Sequence, residues 1–286
     1  MIYLEPNYGL ANRMRVIASG LDLKESTGQR LTIVWPKTFE LNCAFKDLFQ
    51  PISNVRFIEK PFYFHLIKDN DQRTAWSRKM ALISNSIFQI NFCVKEDDGE
   101  KLMRGASKDA FSTVKKFQHV YIKTCGEFTK NNSLYSAFQP VRELQEIVNQ
   151  RTKIFSKNTI GLHIRRTDHV DAIGNSPVEL FIDVVEREFR KNSEINFYLS
   201  TDDPETEQRF KNEFGDIIIT YKKDFSRNSL QGMKDALLDM YCLSRTSKIY
   251  GSFNSSFSDI ASRINSIPLL IMTANKETRK FELTQP

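Results

Sequence analysis

The sequence predicts an α/β fold with mostly parallel sheets, on three observations. Residues 1–35 run strand, helix, strand. Residues 159–272 alternate strands and helices at βα spacing. The strands of that second series end in polar residues, as ligand-binding sheets do. With 286 residues, 40% hydrophobic and 12% aromatic, the chain is globular and long enough for one large or two medium domains.

The first half opens with a strand at residues 2–4. A turn-rich loop, residues 5–12, leads to a helix over residues 13–28, read from the spacing of Met14, Ile17, Ala18, Leu21 and Leu23 and stopped at Gly28. Residues 31–35 form the next strand, ended by Pro36. Further strands are expected at 55–58, 88–94 and 120–124, with a short helix at 109–117. A helix from about Phe138 to Ile154, with Pro140 in its first turn, reads as a bridge. It divides the chain into domains 1–152 and 153–286.

The second half predicts strands at 159–164, 195–200, 216–221, 248–251 and 268–272. Helices are expected at 177–191, 204–213, 229–244 and 255–264. The run from Thr159 to Ile164 is apolar enough to be central, then breaks into His163, Arg165, Arg166 and Asp168. His163 and Arg165 alternate and so share a strand face. Two adjacent guanidinium forks at a strand end suit a doubly charged anion such as a diphosphate; the plainer alternative is a solvated ion pair of small energetic worth.

After residues 197–200 come Asp202, Asp203 and Pro204. One acid suffices to cap a helix beginning at Pro204, so Asp203 is read as the cap and Asp202 as meeting a ribose hydroxyl or guanine edge. Residues 251–258, Gly-Ser-Phe-Asn-Ser-Ser-Phe-Ser, open a helix whose N–H groups suit an anion or a serine cap equally. Gly9-Leu-Ala-Asn12 carries the same ambiguity. Asp239, within an apolar helix, must be paired or hydrogen-bonded unless that face is solvated.

Net charge is +6, from 41 Lys+Arg against 35 Asp+Glu. It is not gathered into one block, which disfavours nucleic acid and fits an anionic substrate or peripheral contact with an anionic membrane. The four cysteines, Cys43, Cys93, Cys125 and Cys242, form no C-x-x-C pair. They read as buried free thiols in a reducing cytoplasm. No signal segment is read, and no apolar run approaches the ~20 residues that span a bilayer. No cluster of His, Cys, Asp and Glu argues for a metal.

Residues 160–170, Ile-Gly-Leu-His-Ile-Arg-Arg-Thr-Asp-His-Val, resemble the His-x-Arg-Arg-x-Asp motif of GDP-fucose-dependent fucosyltransferases, most closely the α-1,6 group with its core and Nod-factor enzymes. Three further blocks agree in order: residues 197–204, residues 228–232 with 238–244, and residues 251–258. Gly9-Leu-Ala-Asn-Arg-Met14 is similar to the superfamily's first loop. The resemblance implies two Rossmann-like domains facing across a cleft (GT-B-like), with the donor on the second and the acceptor toward the first. It implies an inverting, metal-independent transfer of fucose from GDP-fucose to an oligosaccharide or lipid-linked glycan, with no cofactor.

By matched positions, Arg165 holds the β-phosphate and offsets leaving-group charge. His163, Arg166, Asp168 and His169 shape the donor site, and Asp239 meets the guanine. Ser255, Ser256 and the Phe257 N–H meet the phosphate or ribose, while Asn228, Gly9, Asn12 and Arg13 complete the donor contacts. Two departures stand out. The family carries Lys at His169, and a Glu, a candidate base, a few residues on. Here the nearest carboxylate is Asp171, with Asp168 and Glu5 next. The competing readings are a non-catalytic GDP-sugar-binding module and transfer of another GDP-linked sugar. A sulfo- or phosphotransferase is disfavoured because the chain has no Gly-x-x-x-x-Gly-Lys-Ser/Thr loop.

Overall fold

The computed structural model describes residues 1–59, 92–94, 114–129, 131–167, 170–274 and 280–281. The chain divides into two compact units, Met1–Phe138 and Gln139–Pro286.

The first unit carries a parallel sheet of β1 (Ile2–Pro6), β2 (Leu31–Trp35), β3 (Val55–Glu59), β4 (Phe92–Val94) and β5 (Val120–Thr124) in the order β3-β2-β1-β5-β4. Every residue of β2 is buried; such continuous apolar runs are the mark of a strand covered on both faces. The helix expected from residue 13 begins earlier: α1 spans Leu10–Thr27 and buries Leu10, Met14, Ile17 and Leu21. Gly28 closes it, donating its N–H to Lys24 O. The expected strand 88–94 is seen over Phe92–Val94. The first part of the expected helix 109–117 lies outside the described residues.

In the second unit, α2 (Arg142–Arg151) is shorter than expected. Pro140 precedes it, Val141 is extended at φ −57° and ψ 151°, and Thr152–Ile154 tightens into a 3₁₀ turn. The helix read as a bridge packs within this unit, against α6 below. Its sheet contains β6 (Thr159–Ile164), β7 (Asn196–Thr201), β8 (Ile218–Ile219), β9 (Ile249–Ser252), β10 (Leu269–Met272) and the antiparallel β11 (Lys280–Phe281), in the order β8-β7-β6-β9-β10-β11. The expected strand 216–221 contracts because Gly215–Ile217 forms a 3₁₀ turn ahead of it.

Helices α3 (Val170–Asn175), α4 (Val178–Lys191), α5 (Pro204–Phe214), α6 (Leu230–Leu243) and α7 (Ser256–Ile264) complete the unit. Six residues, fewer than two turns of helix, carry little periodicity, so α3 is invisible in the sequence pattern. The core gathers Ile160, Leu162, Phe181, Val185, Phe197 and Phe210, each buried side chain contributing about 1.5–3 kcal/mol.

Cys43 and Cys242 are buried free thiols; Cys125 is half-buried, a departure from the uniform burial expected. Burial first of all pushes the Cys43 and Cys242 thiols up to about 12, which leaves them unreactive. No described helix is long and apolar enough to cross a membrane.

Candidate active site

β6 is buried along its whole length and lies between β7 and β9. From β6 the chain winds to β7 and β8 on one side, then to β9 and β10 on the other. The carboxyl end of β6 is therefore the switch point of the sheet, where open α/β sheets form their ligand crevice.

There the arginines converge on Asp202, at the end of β7. Arg165 Nη1 lies 2.8 Å from Asp202 Oδ2. The Arg166 N–H donates to Oδ1 at 2.7 Å, and the Thr167 hydroxyl to Oδ2 at 2.7 Å. Arg227 Nη2 reaches the same Oδ2 at 3.5 Å. Asp202, expected to meet ribose or guanine, is here the counter-ion of the arginine cluster. Asp203 caps α5, accepting from the Thr206 N–H at 3.0 Å.

The Arg166 side chain braces neighbouring backbone instead of standing beside Arg165 as a second fork. Its Nε donates to Arg165 O at 2.9 Å, and its Nη2 to Ser176 O at 2.7 Å and Ile173 O at 3.2 Å. Burial pulls its pKa down. Ser252 ties β9 to β6: its hydroxyl accepts from the Arg165 N–H at 3.0 Å and donates to His163 O at 3.3 Å.

Gly251 lets α7 approach β9, since a Cβ there would stand 2.6 Å from Ser258 Oγ. Ser255 is the N-cap residue of α7, but its side chain makes no capping bond. The plain capping reading of Ser255 thus fails, and the N-terminal amides of α7 lack that side-chain partner. Ser256 begins the helix, and Phe257 turns its ring onto His163, centroids 4.8 Å apart and 20° from parallel.

His163 is buried, and its Nδ1 has no hydrogen-bond partner among the described residues. Burial lowers its pKa from 6.5 to about 4, against a smaller upward pull from Asp202. The ring is therefore neutral at pH 7. The unfolded chain takes up this proton near pH 6.5 and the native chain only near 4, so stability is full above 6.5 and falls as pH falls through that window. The expected loss from this group is about 3 kcal/mol. Urea unfolding between pH 7 and 4 checks it: His163→Phe retains the stacked ring and should flatten that slope. An unchanged slope would contradict the assignment.

Asp239 is 5% exposed. Its Oδ1 accepts from the Tyr198 hydroxyl at 2.6 Å. Its Oδ2 accepts from the Ser200 hydroxyl at 3.1 Å and Lys223 Nζ at 2.7 Å. The acid among apolar neighbours is thus fully paired, as its setting requires. Both oxygens are engaged by this chain's own donors, which the expected guanine contact had not foreseen. Burial and the adjacent carboxylate hold the Tyr198 phenol well above its usual pKa.

Arg13 lies in the first unit's core, 0% exposed. Its guanidinium donates to Tyr8 O at 2.7 Å, to Pro36 O and to Thr38 Oγ1 at 2.9 Å, over the Trp35 ring. Within this unit it braces the core, each of its three side-chain nitrogens donating to a neighbour. Burial lowers its pKa to about 10. Gly9 is the N-cap residue of α1 in an ordinary extended conformation, and Asn12 is half-buried in the first turn. Asn228 sits in the turn before α6, its N–H donating to Ser226 Oγ at 3.2 Å. Asp171 is exposed in the first turn of α3. Asp168 and His169 lie outside the described residues.

Sequence reasoning missed Arg227 and Lys223. Both lie in an aperiodic polar loop, and their only signal was nearness to the Asn228 block. Among the described residues, no group of three or more His, Cys, Asp or Glu is placed to hold a metal.

No protein-family model and no curated protein matches the chain. Solved structures do. A NodZ α-1,6-fucosyltransferase soaked with GDP-fucose is 16% identical, with a TM-score of 0.62 over 100% of this chain and 99% of that one. The fucosyltransferase NodZ from Bradyrhizobium is 18% identical, with a TM-score of 0.61 over the same shares. FUT1 of Arabidopsis thaliana, in complex with GDP, is 14% identical, with a TM-score of 0.62 over 94% of this chain and 70% of that one. The motif at residues 163–168 and this likeness point the same way: the chain has the fold of the GDP-fucose-dependent fucosyltransferases.

Proposed function

We propose that the protein is an inverting, metal-independent glycosyltransferase that moves fucose from GDP-fucose to a hydroxyl of an oligosaccharide or lipid-linked glycan. The observation that carries this is Arg165, held by Asp202 at the switch point of the second sheet beside a helix start without its side-chain cap. As the fucosyl C1–O bond breaks, negative charge grows on the β-phosphate. A fixed guanidinium and oriented amides offset it there, the part that a divalent cation plays elsewhere. The acceptor oxygen attacks the opposite face of C1, so the configuration inverts, and its proton passes to a carboxylate within ~2.6–3.2 Å or through one water. The names of the structural neighbours support GDP-fucose as donor.

Calorimetric titration tests the donor: GDP and GDP-fucose should bind and UDP should not. Equal affinity for UDP would remove guanine recognition. Chromatography of GDP released from GDP-fucose should show turnover unchanged in EDTA; a strict need for Mg²⁺ or Mn²⁺ would sink the metal-free mechanism. The departures at His169 and Asp171 favour one second reading, a GDP-sugar-binding module without turnover. It predicts donor binding with neither hydrolysis nor transfer.

A further inference from the structure

β6, β9 and β10 are consecutive neighbours in the second sheet, and one residue crosses their carboxyl ends. Ser176, in the junction between α3 and α4, is 0% exposed. Its carbonyl accepts from Arg166 Nη2, just beyond β6, at 2.7 Å. Its hydroxyl accepts from the Phe253 N–H, just beyond β9, at 2.7 Å. The same hydroxyl donates to Met272 O, at the end of β10, at 2.5 Å. Its own N–H closes α3 on Ala172 O at 2.9 Å. An amide N–H only donates and a carbonyl only accepts, so a single orientation of the hydroxyl serves both partners. Pro177, at φ −59°, then fixes the exit into α4.

These bonds close a ring. The Arg165 N–H donates to Ser252 Oγ at 3.0 Å. Ser252 leads to Phe253, Phe253 is held by Ser176, and Ser176 holds the Arg166 side chain. No member can shift without losing a bond, so the end of β6 is fixed relative to the loop that leaves β9. That loop needs such a hold. Asn254 takes left-handed backbone at φ 52°, which a Cβ disfavours and asparagine tolerates better than most. Ser255 then opens α7 without a side-chain cap. Ser176 thus bonds to the residue beside Arg165 and to a residue two before the N-cap of α7.

We propose that Ser176 is a positioning residue of the donor site: it holds the Arg165 strand end and the start of α7 in the register in which both meet one nucleoside diphosphate, before the donor arrives. This rests on the donor-site reading above and adds to it a residue that no motif marks. Groups fixed in advance spare the ligand the cost of ordering them, and a buried hydroxyl that ties two strand ends, with a carbonyl that ties a third, supplies that fixing without touching the ligand.

The test is calorimetric titration of GDP and guanosine into the wild type, Ser176→Ala, Ser176→Thr and Val184→Ala, with thermal unfolding of each. Ser176→Ala opens the ring at Phe253 and frees Met272 O. It should weaken GDP by about 10-fold, as for one hydrogen bond to a charged group, while guanosine binds as before. Ser176→Thr keeps the hydroxyl and should recover most of the loss. Val184→Ala truncates a core residue of α4; it should lower the unfolding temperature and leave GDP affinity unchanged, which separates position from stability. Should Ser176→Ala fail to fold, NMR hydrogen exchange on the wild type decides: the Phe253 amide should exchange slowly without GDP and equally slowly with it. Unchanged GDP affinity in folded Ser176→Ala, equal weakening of GDP and guanosine, the same loss in Val184→Ala, or a Phe253 amide protected only when GDP is bound would overturn the positioning role and leave the donor site standing. A wild type that binds no GDP would remove the donor site, and this role with it.

Discussion

Arg165→Ala is expected to lower the rate of fucose transfer by about 10²–10³, a loss of ~2.7–4 kcal/mol of transition-state stabilisation, as for one preorganised donor at a developing charge. The variant should fold, because Asp202 keeps the Arg166 N–H, the Thr167 hydroxyl and Arg227 as partners. The loss should fall mainly on turnover, since the β-phosphate carries more charge as the glycosidic bond breaks than in the bound donor. Arg165→Lys should rescue little: an ammonium cannot hold Asp202 and a phosphate with one planar fork. Steady-state kinetics with GDP-fucose check both. Near-wild-type turnover in Arg165→Lys would show that the strand end supplies general positive charge only.

Asp171→Asn is expected to lower turnover by about 10²–10⁴, the usual worth of a general base, while leaving GDP affinity unchanged. Asp171 is the first described carboxylate after the arginine pair. It stands exposed on α3, which Arg166 braces through Ile173 O and Ser176 O. Glu5, the other described candidate, is 1% exposed, accepts from the Tyr121 hydroxyl and lies 3.9 Å from Lys123 Nζ. It is enclosed at the end of β1 and poorly placed to meet an acceptor. A flat pH–rate profile on the acid side, together with the lowered turnover, would complete the case for Asp171. Full transfer activity in Asp171→Asn would hand the proton to another group, Asp168 being next.

Much of the second unit was legible because its signals are local. The unbroken apolar run of β6 announces a central strand, and the amphipathic spacing of α4 and α5 announces surface helices. Asp203 before Pro204 announces a cap. These patterns read a buried face or a terminal N–H, both set by residues a few positions away. Where local chemistry was weaker the boundaries moved: α1 starts earlier than its apolar spacing suggested, β8 contracts, and α3 carries too few turns to show a period. The arginine pair at residues 165–166 was visible as charge at a strand end, but the division of labour between them was not.

The sequence by itself determined the α/β class, the parallel strands, the polar strand ends and the motif at residues 163–168. Each depends on periodicity or on neighbours along the chain. Only the tertiary structure decided that Arg13 is a core brace and that Asp239 serves Tyr198, Ser200 and Lys223. It alone showed that Ser255 leaves α7 without a side-chain cap, and that Asp202 gathers Arg165 and Arg227 from separate loops. A charged side chain is defined by the partner that satisfies it, and most of those partners lie 16 or more residues distant, brought within hydrogen-bond reach by the packing of strands, helices and loops together.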